Sequence, residues 1–359
     1  MRKTISILLA CLLCLSLIIS SGLPVSATEL SQNEQEAIAC SGYAEATAVL
    51  RQEMVNRQNT ITVTFLSQSN DTQIMTELFY EALSHTGLPN QGDYLRWNIQ
   101  KVSVSQTTQE LEGQYRLTLT YTVAYYTTAQ QEAEMDAAVE QLLDQLDVYN
   151  ADDYLKICAI YDYICGNVTY DRWGVMTGDK LVYTAYAALI KKAAVCQGYA
   201  TLLYRLALEL GVDARVIPGI GKQQNHGWNI VRLDGKYYNL DATWDAENVY
   251  MDVPYEHFLR CDANFINHTR KAAYATEEFL RVYRMSDTDY SQTANTLPGD
   301  LTHDGYVDED DAIYLLRYVL MPDAFRVEQA VDYNTDSKVN EDDAIYLLRH
   351  VLMPEQFPL

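Results

Sequence analysis

The sequence AVCQGYATLLYRLALELG, residues 194–211, determines the architecture predicted for the middle of this 359-residue chain. It begins near Cys196, is apolar on nearly every side, and ends at Gly211. An apolar run of this length, closed by a glycine, predicts a buried central helix. A thiol at a helix N-terminus lies at the positive end of the helix dipole, which favours the thiolate. Taken alone, however, such a cysteine is more often a small buried apolar residue than a nucleophile.

Two strand-like runs follow this segment, NHGWNIVRL and KYYNLDATWD, and Asp234-Gly235 joins them. Asp-Gly is typical of a two-residue hairpin turn, and a two-residue turn fixes the register of the strands that it connects. The register predicts that Leu233 lies opposite Lys236. A β-hairpin is therefore expected directly after the cysteine helix.

The hairpin brings an imidazole and a carboxylate together. Continuing its register places Trp228 opposite Asp241 and His226 opposite Thr243, so that His226 and Asp241 are diagonal neighbours on one face. A carboxylate can orient an imidazole and leave its second ring nitrogen free to accept a proton from a thiol. With Cys196 upstream, this set predicts nucleophilic catalysis by a thiol.

The order Cys, His and Asp in these motifs resembles the transglutaminase-like family of the papain-type cysteine-enzyme fold. The matching motifs are AVCQGYA, NHGWNIV and YYNLDATWD, supported upstream by IYDYICGNVTYD and TAYAALI. The resemblance implies that Cys196 is the nucleophile, His226 the general base and acid, and Asp241 the orienting residue. It also implies an oxyanion donor at the backbone N–H of Cys196. Gln197 and Tyr170 are the candidates for the second donor.

The expected fold class is α+β. Residues 28–150 are predicted to form an N-terminal α+β extension, with strands at TITVTF and YRLTLTYTVAYY and helices at QIMTELFYEALSH and QEAEMDAAVEQLLDQL. Residues 151–285 form the predicted catalytic domain. Residues 286–298 are polar and close on Pro-Gly, which is typical of a linker.

A repeat closes the chain, because residues 300–322 recur as residues 332–354. The second halves, DAIYLLRYVLMP and DAIYLLRHVLMP, are almost identical. The first halves, DLTHDGYVDEDD and DYNTDSKVNEDD, carry oxygen ligands at the spacing of a twelve-residue calcium loop. The predicted ligands are Asp300, Thr302, Asp304, the Tyr306 carbonyl, Asp308 and Asp311 in the first loop, and Asp332, Asn334, Asp336, the Lys338 carbonyl, Asn340 and Asp343 in the second.

Each calcium loop leads into a short amphipathic helix. Position 6 of such a loop is usually glycine, so Gly305 fits and Ser337 predicts a weaker or differently bent second site. One helical face in each copy is apolar, and the two faces are expected to bury each other. These faces consist of Ile313, Leu316 and Leu320, and of Ile345, Leu348 and Leu352.

This tandem resembles a dockerin, a small all-α calcium-binding module with two loop-helix repeats, over residues 299–359. The resemblance implies two Ca²⁺ ions and docking to a cohesin domain of a bacterial cellulosome-type scaffold. The positions at which dockerins contact cohesin correspond, in the first repeat, to Glu309, Asp310, Leu316 and Arg317. In the second repeat they correspond to Glu341, Asp342, Leu348 and Arg349. Dockerins commonly carry a Ser-Thr type pair where this chain twice has Glu-Asp, which leaves the cohesin class open.

Composition and the first residues indicate the compartment. A formal net charge of −23 argues against nucleic acid or an anionic membrane as partner. Residues 1–27 read as a signal peptide, with Arg2 and Lys3, an apolar run, and Val25-Ser26-Ala27 before the cleavage point. A lipid anchor at Cys11 ranks below secretion. We therefore expect a secreted, extracellular protein, associated with a scaffold or cell surface and not with a membrane after cleavage.

Five cysteines remain after cleavage, which is too few and too uneven for a disulfide framework. Cys158 and Cys165 are expected to be core residues of one helix, too far apart to form a disulfide.

These patterns lead to two functional hypotheses. The first is a secreted cysteine-dependent acyl-transfer enzyme on protein or peptide amides, anchored to a cohesin scaffold. Water as the acyl acceptor makes it a peptidase and a lysine amine makes it a transglutaminase, a choice that the motifs leave open. The alternative is a non-catalytic binding or structural component of the same complex. A glycoside hydrolase would need paired carboxylates flanking a cleft, and no motif places such a pair outside the calcium loops.

Overall fold

A computed structural model describes residues 18–19, 37–247, 255–290, 298–301, 307–322, 325, 327 and 330–359. Most of the predicted signal peptide and residues 291–297 of the predicted linker lie outside these ranges. So do Thr302, Asp304, Gly305 and Tyr306 of the first predicted calcium loop. Among the described residues, no helix combines the length and apolarity that a membrane span requires.

The N-terminal region is a mixed layer of sheet and helices, and the strands and helices predicted there are confirmed. Its sheet has the order β1-β4-β5-β3-β2, and the strands are β1 (Ile18–Ile19), β2 (Ile38–Ala39), β3 (Thr60–Ser67), β4 (Ile99–Leu111) and β5 (Gln114–Tyr125). Alternate residues of β5 point into the core, with Leu117, Leu119 and Tyr121 fully buried. The helices are α1 (Tyr43–Val55), α2 (Gln73–Ala82) and α3 (Asp93–Asn98).

The central region surrounds the predicted cysteine helix. Its helices are α4 (Ala129–Leu146), α5 (Asp153–Asn167), α6 (Arg172–Thr177), α7 (Cys196–Glu209), α8 (Ala242–Ala246) and α9 (Glu277–Val282). Two short parallel strands pair with each other, β6 (Thr169–Tyr170) and β7 (Ala193–Ala194). A four-stranded sheet has the order β10-β9-β8-β11, with β8 (Ala214–Gly221), β9 (Gln224–Leu233), β10 (Lys236–Leu240) and β11 (His268–Arg270).

Helix α7 is buried, as its apolar sequence predicts. Leu202, Leu203 and Leu206 are fully buried, and the helix ends before Gly211, whose φ of +79° is a conformation that glycine adopts without strain. Helix α4 packs into the same core through Met135, Val139 and other apolar residues. Helix α7 therefore lies at the centre of this region.

The N-terminal region packs directly on the central region. The buried Arg215 guanidinium donates to both Asp93 oxygens, at 2.7 and 3.1 Å. The Gln197 side chain donates to the Trp97 carbonyl at 2.8 Å. Because Gln197 follows Cys196, helix α3 contacts the segment that carries the predicted nucleophile.

The hairpin turn is confirmed, but its predicted extension is wrong. Leu233 pairs with Lys236, and the ladder continues only as far as Leu240 opposite Asn229. Beyond that point the chain turns into α8, so Asp241 and Thr243 do not lie opposite Trp228 and His226. The side chain of Asp241 accepts hydrogen bonds from the first backbone N–H groups of α8, and this capping ends the strand.

The C-terminal repeat forms α10 (Glu309–Leu320) and α11 (Glu341–Leu352), which pack together. The prediction that the Ile313 and Ile345 faces bury each other is wrong, since these side chains are 44 and 45% exposed. The buried apolar side chains are Ala312, Tyr314 and Leu315 in one helix, and Ala344 and Leu347 in the other. Each helix has two apolar stripes, and the stripe that contains alanine allows closer approach of the two backbones.

Residues at the start of the predicted linker pack on the central region. The backbone N–H of Ser286 donates to Tyr237, and that of Tyr290 donates to Leu259. The Tyr290 ring stacks on Tyr154 with centroids 5.3 Å apart. An ion pair between Arg317 and Asp147 joins α10 to the end of α4.

Candidate functional site

Cys196 is the first residue of α7, with Val195 at the N-cap position. Strand β7 ends at Ala194, and its pairing with β6 fixes the backbone immediately before the cysteine. Cys196 is partly exposed, and it lies close enough to His226 to contribute to raising the pKa of that imidazole. The position at the start of a buried helix is the one that the sequence predicts.

His226 lies on β9, opposite Gly219 of β8. Its Nε2 is 2.7 Å from Oδ2 of Asp241, and the two side chains are only 7 and 1% exposed. Because Nε2 faces the carboxylate, Nδ1 is the ring nitrogen left for the Cys196 thiol. The structure thus brings His226 and Asp241 together, and the role of Cys196 as the nucleophile beside them stays a prediction.

The charges of this group are strongly coupled. Burial disfavours the protonated imidazole, but the Asp241 charge and its hydrogen bond, with a smaller contribution from Cys196, raise the pKa of His226 to about 10. Burial likewise opposes ionisation of Asp241, yet the neighbouring His226 holds the pKa of that carboxyl well below its usual range. The arrangement therefore favours an imidazolium and a carboxylate at neutral pH.

Asp241 is fixed through both of its oxygens. Oδ1 accepts the backbone N–H groups of Thr243 and Trp244, at 3.0 and 3.4 Å. Oδ2 accepts from His226 and also from His268, whose Nε2 lies 3.1 Å away. The capping of α8 thus holds one oxygen while the other is shared by two imidazoles.

His268 is the residue that the sequence analysis missed. It lies on β11, which reaches the site by pairing with β8, and its side chain is only 1% exposed. A strand of three residues with no alternating pattern gives no local signal. His226, Asp241 and His268 form the one group of possible metal ligands among the described His, Cys, Asp and Glu residues, with ligand atoms within 4.8 Å of one another.

Trp244 covers the His226–Asp241 pair. Its ring stacks on His226 with centroids 5.0 Å apart and an interplanar angle of 19°, and Lys222 Nζ lies 3.9 Å from its centroid. Trp228 is a core residue instead, bonded through its indole nitrogen to Asn239.

The two candidates for the second oxyanion donor lie in different settings. The Gln197 side-chain amide already donates to the Trp97 carbonyl. Burial, followed by the charge of the neighbouring Cys196, raises the pKa of Tyr170 to about 12. The Tyr170 hydroxyl therefore remains a protonated donor near Cys196 at neutral pH.

The second predicted calcium loop lies entirely within the described residues and is closed by its own side chains. The Asp332 carboxylate accepts the backbone N–H groups of Asp336 and Ser337, at 3.0 and 2.9 Å. Asp343 is fully buried and accepts from Tyr333 and Asn340, at 2.9 and 3.0 Å. Among the described residues, no lysine or arginine pairs with these carboxylates.

That Asp332, Asn334, Asp336, Asn340 and Asp343 bind calcium stays a prediction, based on the oxygen ligands that this cation prefers. Ser337, at the position where glycine is usual, has a φ of +67°. The loop therefore keeps the usual bend at the cost of backbone strain in a residue with a side chain.

The first loop repeats this pattern where it is described. Asp311 is fully buried and accepts the backbone N–H groups of Leu301 and Asp308, at 2.7 and 2.9 Å. Asp308 caps α10 in the same way that Asn340 caps α11. The duplicated sequence thus produces duplicated local geometry.

All five cysteines after the predicted cleavage point are free. Cys158, Cys165 and Cys261 are buried, whereas Cys40 and Cys196 are partly exposed. The prediction that Cys158 and Cys165 are unbridged core residues is confirmed.

Comparison with known proteins adds family information for the central region. Residues 140–242 match the family model of the transglutaminase-like superfamily, a range that contains Cys196, His226 and Asp241. Human kyphoscoliosis peptidase is 26% identical over 146 residues, covering 37% of this chain and 22% of the relative. The mouse protein of the same name is 27% identical over 128 residues, covering 32% of this chain and 19% of the relative. The chain thus matches about a fifth of the length of these curated relatives.

Two solved structures overlap with parts of the chain. One is a TGase crystal structure, with 14% identity, a TM-score of 0.29, and coverage of 58% of this chain and 59% of the other. The second is a candidate cysteine protease from Cytophaga hutchinsonii, with 17% identity, a TM-score of 0.25, and coverage of 40 and 65%. The similarity to known proteins rests on the sequence match over residues 140–242 and not on these overlaps. This range is similar to the transglutaminase-like superfamily, and its structure is a mixture of helices and strands.

Proposed function

We propose that this protein is a cysteine-dependent acyl-transfer enzyme acting on protein or peptide amides. The observation that carries the proposal is the position of His226, whose Nε2 lies 2.7 Å from the Asp241 carboxylate and whose pKa is also raised by the neighbouring Cys196 thiol. This is the arrangement that nucleophilic catalysis by a thiol requires. The match to relatives named peptidases supports the same reaction class.

The chemistry follows from these three groups. The Cys196 thiolate attacks the amide carbonyl carbon, and a C–S bond forms as the carbonyl oxygen becomes an oxyanion near the Cys196 backbone N–H. His226 then gives its proton to the leaving amine, the C–N bond breaks, and an acyl-enzyme remains. In the second half His226 removes a proton from water, the water oxygen attacks the thioester, and the acid and the Cys196 thiolate are released.

A lysine amine in place of water would give a cross-linked amide by the same steps. We favour water as the acceptor, because an extracellular site is surrounded by it. Proteins from cell-wall, plant and dietary fractions, incubated with the enzyme and analysed by mass spectrometry, distinguish the two reactions. Cleaved peptides support hydrolysis and isopeptide cross-links support transamidation. If neither forms, or if both persist in Cys196→Ala, the enzymatic proposal is contradicted.

We further propose that the protein is secreted and that its C-terminal module docks to cohesin in a calcium-dependent manner. The exposed apolar stripes of α10 and α11, which include Ile313 and Ile345, offer two equivalent surfaces for a protein partner. Two calcium ions would be held by the loop ligands named above and would order the loops.

Docking is tested by binding to immobilised cohesin domains with and without excess chelator. Loss of binding in chelator, with the catalytic region still folded by circular dichroism, supports the assignment. Binding that persists in chelator contradicts it.

A further inference from the structure

His268 reaches the candidate active site from β11, a strand that carries none of the three proposed catalytic residues. Strand β8 pairs with β9 on one side and with β11 on the other. His226 lies opposite Gly219, and His268 lies opposite Gly221 of the same strand. The sheet therefore directs two imidazoles toward one carboxylate, that of Asp241.

The ring of His268 is fully engaged. Its Nε2 is 3.1 Å from Asp241 Oδ2, and its Nδ1 is 3.0 Å from the Ile266 carbonyl oxygen. Both partners are hydrogen-bond acceptors, so both contacts are satisfied only when both ring nitrogens carry hydrogen. The ring also stacks on Phe265, with centroids 3.8 Å apart, and contacts the tilted Trp244 ring, with centroids 4.2 Å apart. Packing therefore fixes the ring as a donor to Asp241.

The hydrogen bond from His268 constrains Oδ2 of Asp241, which is the oxygen that orients His226. Oδ1 of Asp241 is held by the cap of α8, but the cap leaves the position of Oδ2 to its own donors. With His268 removed, the buried Oδ2 would keep a single donor, and its second acceptor site would be unpaired. Two other titratable groups border the same aromatic cluster. The His257 ring pairs with Asp245 and contacts the rings of Trp244, Phe265 and His268, and Lys222 lies over the Trp244 ring.

We propose that His268 is a positioning residue for acyl transfer, which holds Oδ2 of Asp241 so that the His226 ring keeps Nδ1 directed at the Cys196 thiol. This proposal rests on the proposed function. It adds a fourth side chain to the site, one that touches neither substrate nor thiol.

The test compares His268→Phe, which keeps an aromatic ring but has no donor, with His268→Gln, whose amide can donate to Asp241. The readout is the rate at which iodoacetamide alkylates Cys196 at pH 7, followed by peptide mass spectrometry. We expect a loss of about tenfold in the Phe variant and recovery to within about threefold in the Gln variant. His257→Phe removes a histidine of the same cluster whose ring pairs with Asp245 and not with the Asp241 carboxylate, and it should leave the rate unchanged. Should His268→Phe fail to fold, His268→Asn, whose amide is too short to reach, replaces it.

A spectroscopic measurement accompanies the rates. Proton NMR of the parent protein should show downfield imidazole N–H signals for both histidines that share Asp241. The Gln variant should lose the His268 signal and retain that of His226, whereas the Phe variant should also shift or broaden the His226 signal. Equal alkylation rates and an unmoved His226 signal in both variants overturn the positioning role alone. If Cys196 of the parent reacts no faster than Cys40, the proposed function fails and this proposal fails with it.

Discussion

Replacing Asp241 by Asn removes one charge from the candidate site and keeps its shape. The amide oxygen of Asn can still accept the two backbone N–H groups that begin α8, so the cap is preserved. What disappears is the negative charge 2.7 Å from His226 Nε2. That charge is the main cause that raises the pKa of His226 to about 10 against the effect of burial. Without it, the pKa should fall to the ordinary value of about 6.5 or lower.

The expected loss of activity follows from this change. At pH 8, an imidazole of pKa about 10 is protonated in about 99% of molecules, and one of pKa about 6.5 in about 3%. Because the proposed reaction needs the imidazolium to protonate the leaving amine, kcat at pH 8 should fall about thirtyfold from protonation alone. Loss of the orienting hydrogen bond would add to this factor.

The assay is kcat against pH from 5 to 10 on a peptide substrate, together with an NMR titration of His226. Asp245→Asn is the matched control, since Asp245 is an equally buried carboxylate that pairs with His257 instead. We expect the titration midpoint of His226 to drop by more than two pH units in Asp241→Asn and to remain unchanged in Asp245→Asn. An unchanged midpoint, or an unchanged kcat at pH 8, would refute the reasoning.

Three further predictions test other parts of the structure. The raised pKa of His226 stabilises the fold fully below about pH 6.5, and this stabilisation is lost as the pH rises through about 10. The lowered pKa of Asp241 stabilises the fold above about pH 4, and that stabilisation is lost only in stronger acid. Denaturant unfolding should therefore show lower stability at pH 10 than at pH 6.5, and equal values would contradict the coupling. Gly221→Ala would place a Cβ 2.9 Å from the His226 ring and should lower kcat at least about tenfold, whereas Gly227→Ala, with its nearest neighbour at 3.9 Å, should be tolerated. Ser337→Gly should relieve about 1 kcal/mol of strain at φ +67° and raise calcium affinity severalfold by calorimetry, whereas Ser337→Ala should give no gain.

Local patterns were sufficient to predict most elements around the site. The apolar run after Cys196 predicts α7, and the Asp234-Gly235 turn predicts the pairing of Leu233 with Lys236. Both depend on neighbours in the chain, which is why they could be predicted. The contact between His226 and Asp241 was also predicted, although the path of the chain to Asp241 was not. The capping interaction that turns the chain at Asp241 competes with the strand, and hairpin register alone does not show which one prevails.

Contacts between distant segments could not be predicted. His268 reaches Asp241 through the pairing of β11 with β8, and Arg215 meets Asp93 from a different region of the chain. Neither contact leaves a periodic signal in the sequence. The helical spacing of apolar residues in α10 and α11 was predicted correctly, but each of these helices has two apolar stripes. Which stripe is buried depends on how closely the helices approach, and Ala312 and Ala344 permit the closer contact.

The most direct test of the account is the alkylation of individual cysteines by iodoacetamide at pH 7. Cys40 serves as the internal reference, because it is also partly exposed and because burial and Glu45 raise the pKa of its thiol. Peptide mass spectrometry gives a rate for each residue in the same sample. We predict that iodoacetamide alkylates Cys196 at least about ten times faster than Cys40, and faster than it alkylates glutathione. If Cys196 reacts no faster than either thiol, the claim that His226 and Asp241 activate it is contradicted.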